Sequence, residues 1–132
     1  MTARAEGTFT VQGWDESTYQ ELAGKSKLTR ASMTFGYTGD VEATGGSEAL
    51  MFYREDGTAT FTGLQRMEGR IGDRAGSFVL QADGAYDGTE ATTTWQVIDG
   101  SGTDDLRGLR GSGSSVAGSG MSGTFALDYD LD

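Results

Sequence analysis

Phe125-Ala-Leu-Asp-Tyr-Asp-Leu-Asp132 alternates without a break: Phe125, Leu127, Tyr129 and Leu131 share one face, and Ala126, Asp128, Asp130 and Asp132 share the other. A period of two suits a strand with one wet face and suits no helix. The same alternation recurs upstream. In 29–37 Ala31, Met33, Phe35 and Tyr37 oppose Arg30, Ser32, Thr34 and Gly36. In 58–69 Ala59, Phe61, Gly63, Gln65 and Met67 oppose Thr58, Thr60, Thr62, Leu64 and Arg66, and in 91–98 Ala91, Thr93, Trp95 and Val97 oppose Thr92, Thr94, Gln96 and Ile98. Segments 7–12, 47–54, 75–82 and 110–116 complete a set of about eight strands. The pattern does not choose the inner face of 47–54 or of 75–82; in the former, Leu50 and Phe52 alternate with Met51 and Tyr53, so both faces are apolar.

The chain holds 22 Gly and no Pro, so turns fall to Gly, Asp and Ser. Turn signals stand at Gly39-Asp40, Gly45-Gly46, Asp56-Gly57, Gly72-Asp73, Asp83-Gly84, Asp87-Gly88, Asp99-Gly100 and in the Gly/Ser tract 111–122. Helix is confined to one turn within 16–24 and one within 103–109, where Asp104 and Asp105 precede Arg107 and Thr103 stands at the capping position. About eight short antiparallel strands close into a barrel or stack as a two-sheet sandwich. The barrel is favoured because closure removes edges, and this chain has no Pro and few Lys to blunt them. The expected fold is all-β: a single domain over 1–132, a closed antiparallel eight-stranded barrel with at most one or two short helical turns.

Composition excludes several chemistries. With 132 residues and no His or Cys, the chain has no Ser-His-Asp triad, no thiolate, no disulfide and no zinc site of the usual ligands. A net charge of −10 without clustered Lys or Arg argues against nucleic acid and anionic membrane as partners. The N-terminal residues Met1 to Gly7 lack a hydrophobic signal region, and the longest apolar run, Ala49 to Tyr53, is far short of a membrane span, so the expected location is cytoplasmic. Asp128, Asp130 and Asp132 share a face, but a calcium site takes about six to eight converging oxygens, so they read as a solvated surface and no metal site is expected. No cofactor motif is present; Gly39-Asp-Val-Glu42 and the Gly/Ser tract lack the following helix that a phosphate loop needs.

Separated stretches carry a resemblance along nearly the whole chain: Gly7-Thr-Phe9, Trp14-Asp15, Lys27-Leu-Thr-Arg30, Tyr53-Arg-Glu-Asp-Gly57-Thr-Ala-Thr-Phe61, Gly76-Ser-Phe-Val-Leu-Gln81, Gly100-Ser-Gly-Thr-Asp-Asp-Leu106 and Leu127-Asp-Tyr129. In these the chain resembles the bacterial domain of unknown function 3224 family. That resemblance implies an allene oxide cyclase-like barrel, supplies only an analogy for chemistry, and implies assembly through outer walls into a homo-oligomer. Relatives often carry His after the Phe-Val-Leu-Gln run, where this chain has Ala82, so a His-dependent role does not transfer.

The expected site is the barrel interior. Tyr37, Phe61, Trp95 and Tyr129 fall on the inner faces of four strands, and Gln65 adds an amide that must be hydrogen-bonded if buried. Aromatic walls with a few orienting polar groups are the usual form of a small-molecule site, so these five are the expected ligand-binding residues for a small hydrophobic metabolite. A cofactor-free isomerase or cyclase would use the same cavity, whereas a filled barrel acting as an interaction module would have none. Catalytic residues are not assigned; Glu48, Arg54, Arg66 and Glu68 read as cross-strand surface pairs, and Arg107 and Arg110 as flanks of a structural turn. Trp14, beside Gly13, Asp15 and Glu16, is expected outside the barrel.

Overall fold

The computed structural model describes residues 2–118 and 122–131, so Asp132 and part of the Gly/Ser tract lie outside them. Eight strands run in chain order: β1 (Ala3–Glu21), β2 (Lys27–Gly39), β3 (Val41–Tyr53), β4 (Ala59–Ile71), β5 (Arg74–Tyr86), β6 (Ala91–Val97), β7 (Arg110–Ala117) and β8 (Ser122–Asp130). Each pairs antiparallel with the next, and β8 pairs with β1, closing the barrel. Eight strands give an interior that side chains can just fill or that can hold one small ligand.

Two of the expected local structures are corrected. The helical turn within 16–24 is strand as far as Glu21, because Glu21 opposite Lys27 begins a ladder with β2 that satisfies the backbone better than an isolated turn. Only the turn within 103–109 forms, as a 3-10 turn over Asp104–Leu106. Thr103 does not cap it; its hydroxyl accepts the Ser77 N–H at 3.0 Å and so ties the β6–β7 connection along β5.

Gly45-Gly46 and Asp83-Gly84, read as turns, lie inside β3 and β5. Their glycines make lateral room. A Cβ on Gly84 would stand 2.5 Å from Phe61 Cζ, so the Phe61 ring lies across the opposing strand where no side chain intervenes. The turns at Gly57 (φ 88°) and Gly72 (φ 60°) do form, in the left-handed region that glycine enters without strain.

The two ends of the barrel differ. At the end that carries the β2–β3 and β4–β5 turns, Leu106 and Leu109 from the β6–β7 connection pack with Val41, Ile71, Phe78, Leu80, Val97 and Leu127 into a closed core. In the strands whose faces the pattern left open, Ser47, Ala49 and Met51 are buried inward and Leu50 is exposed outward, while Phe78, Leu80 and Ala82 point in. The other end carries the connections 22–26, 54–58 and 87–90, and no core residue closes it among those described. Among the described residues, no helix is long and apolar enough to cross a membrane.

Candidate functional site

At that open end the barrel encloses a cavity of about 260 Å³. Its walls are mostly aromatic and aliphatic, with Ser47, Gln65, Thr93 and Ser115 as scattered polar groups, and none of its described lining side chains is charged. For scale, an apolar cavity of about 150 Å³ admits benzene.

Four of the five expected site residues, Tyr37, Phe61, Gln65 and Trp95, line this space. Tyr129 does not. It faces inward but stands opposite Ala3 and Gly111, toward the closed end, where it packs against the core. A period of two fixes a residue's face; its height in the barrel depends on strand register.

Tyr37 is the centre of the floor. Its ring meets Phe125 edge-on at 5.4 Å and Trp95 at 5.9 Å, lies 5.7 Å from Phe9, and Trp95 stacks on Phe125 at 5.7 Å. Gln65 Nε2 donates to Tyr37 Oη and lies 3.1 Å from Met67 Sδ, which satisfies a nearly fully buried amide. The tyrosine oxygen accepts this bond, which leaves the phenol's own proton to donate. Burial pushes the Tyr37 phenol well above the ordinary tyrosine range, against the opposing pull of the Gln65 hydrogen bond, so Tyr37 stays a neutral donor.

The open end holds a second polar group that the alternation does not reveal. Val11 pairs with Phe35 but Gly13 pairs with Thr34, a bulge that leaves Gln12 extra in β1. Before it the odd residues Ala5, Phe9 and Val11 face in; after it Trp14 and Glu16 do, up to a second register shift between Thr18 and Gln20. Trp14, opposite Met33, therefore lines the cavity rim while remaining 47% exposed, which corrects its expected place outside. Glu16 follows on the same face and accepts hydrogen bonds from Thr29 Oγ1 at 2.6 Å and from Trp14 Nε1 at 2.9 Å. Burial alone would raise the Glu16 carboxyl, but hydrogen bonds from Thr29, Tyr53 and Trp14, with Lys27 nearby, outweigh it and hold the group below its ordinary range. The Tyr53 phenol is pushed up by burial first and by Glu16 second. Sequence carried one sign of this arrangement: the large apolar residues of β1 jump from odd positions, Phe9 and Val11, to the even Trp14.

The charged surface candidates stay on the outside. Arg30 pairs with Glu48 at 2.8 Å and Arg66 with Glu68 at 3.5 Å, all well exposed, and Arg54 bonds Thr60 at 2.6 Å beneath the 54–58 turn. Asp128 pairs with Arg4 at 3.1 Å. Among the described residues no group of three or more acidic side chains converges as a metal site would require.

The family described as "Protein of unknown function (DUF3224)" matches residues 5–129. The chain is also similar to a solved structure of a DUF3224-family protein of unknown function from Shewanella oneidensis MR-1. The two superpose with a TM-score of 0.84 at 23% identity, over 100% of this chain and 99% of the other, a likeness of fold. No curated protein matches the chain.

Proposed function

This chain belongs to the DUF3224 family, and from that premise we propose that it is a binding barrel, which takes a small hydrophobic molecule into the cavity between Tyr37, Phe61, Gln65 and Trp95. The observation that carries the reading is the cavity itself. It is apolar-walled, uncharged and larger than a packed core leaves by accident, and it has a buried hydrogen-bonding pair at its floor. Apolar walls supply affinity at roughly 25 cal/mol per Å² of surface removed from water, and the Tyr37 hydroxyl orients a carbonyl or hydroxyl oxygen of the ligand.

Binding is favoured over acid–base catalysis by the titratable groups. No carboxylate or ammonium lines the cavity among the described residues, and the phenols of Tyr37 and Tyr53 are both raised, so they stay protonated and do not exchange protons readily near pH 7. The experiment is denaturing mass spectrometry of protein purified from its native host. A stoichiometric apolar molecule small enough for the cavity is the expected result; its repeated absence, together with failure of small aromatic probes to bind in calorimetry, would leave a barrel without a ligand.

A further inference from the structure

The cavity's open end is built differently from its floor. Glu16 is an anion held in place by Thr29 and Trp14, and the Lys27 ammonium stands 5.3 Å over the ring of Tyr53. Trp14 and Tyr53 both line the cavity. The protein thus places a cation of its own at the rim of an apolar cavity, over an aromatic face and near a fixed carboxylate. An ammonium group is stabilised by this combination through the ring quadrupole and the partly desolvated charge.

The surrounding charge points the same way. Residues 15–27, 53–59 and 86–91, which lie at this end, include seven acidic and three basic residues. A rim of that sign raises the local concentration of cations and opposes anions.

We propose that the rim formed by Trp14, Glu16 and Tyr53 is an ammonium-binding site, so that the cavity's ligand is an amphiphilic amine with its apolar body between Phe61 and Trp95 and its cationic head at the rim. The head takes the place that Lys27 holds over the Tyr53 ring. Lys27, on the first residue of β2, has a flexible stem and swings into solvent when displaced. The inference rests on the cavity being a binding site, and it adds the ligand's charge and its direction of entry.

The test compares three probes of one shape, 2-naphthylmethylamine, 2-naphthalenemethanol and 2-naphthoic acid, titrated calorimetrically into the purified full chain. The amine is expected to bind roughly tenfold or more tightly than the alcohol, which corresponds to about 1.4 kcal/mol, and the acid most weakly. Glu16→Gln removes the charge at nearly constant volume, keeps one acceptor oxygen for Thr29 or Trp14, and should close the gap between amine and alcohol. Lys27→Met, by removing the competing cation, should tighten the amine further. Equal binding of amine and alcohol, or tightest binding of the acid, would overturn the rim site while leaving the cavity reading intact. If none of the three binds in the wild-type protein or in Lys27→Met, both fail.

Discussion

Gln65 on β4 reaches Tyr37 on β2 across an intervening strand, because the β3 residue beneath them is Gly45. A Cβ at that position would stand 2.9 Å from Gln65 Nε2 and 3.0 Å from Tyr37 Cε2. A double glycine that reads as a turn is the gap through which the site's polar pair forms.

That pair should be measurable as a coupling. Gln65→Leu keeps the volume and deletes the donor, and is expected to lower unfolding free energy by about 1–3 kcal/mol. With Tyr37→Phe already in place the same change should cost less. Urea unfolding of both singles and the double gives the difference, and strict additivity would deny the bond any energetic weight.

Alkaline titration follows from the phenols. Tyr37 and Tyr53 are raised in the fold, so the stability they confer is complete below the ordinary tyrosine value of about 10 and is lost as pH climbs toward their folded values. Absorbance at 295 nm should show late ionisation that Tyr37→Phe and Tyr53→Phe each diminish. Both phenols titrating near 10 in the folded protein would contradict their environment.

Acid acts through Glu16 in the opposite sense. Its carboxyl is depressed, so its contribution is present above the ordinary glutamate range and disappears as pH falls through the folded value. The difference in Tm between the wild type and Glu16→Gln should therefore shrink as pH is lowered from 7 to about 3. A constant difference across that window would mean that the carboxylate charge is not what Thr29 and Trp14 hold.

The two tryptophans should separate cleanly. Trp95 is 5% exposed and Trp14 is 47% exposed. Trp14→Phe should leave blue-shifted emission that resists acrylamide, and Trp95→Phe should leave red-shifted, readily quenched emission. Exchange of the two behaviours would place the wrong indole inside.

The closed end is tested by Leu106→Ala, which removes a fully buried side chain from the 3-10 turn. The expected loss is about 2–5 kcal/mol. Probe binding at the opposite end should persist below the transition midpoint; a joint loss of both would show that the ends do not act independently.

The sequence by itself determined that the chain is a β-barrel and which way most side chains face. Strict alternation, as in Phe125 to Leu131, carries face directly, because successive Cβ atoms on a strand point to opposite sides. That placed Tyr37, Phe61, Gln65 and Trp95 inward without any contact being known. Tertiary structure alone decided height and phase. Tyr129 has the right face but, through its pairing with Ala3, lies toward the plugged end. One extra residue at the β1 bulge reverses the phase, so Trp14 and Glu16 turn to the rim instead of away from it. Gly45 and Gly84 carry the local signature of turns, and only their neighbours, Gln65 and Phe61, show that the missing side chains are space for others. Face is a local property of one strand, whereas register, bulge and lateral room are properties of pairs of strands distant in sequence.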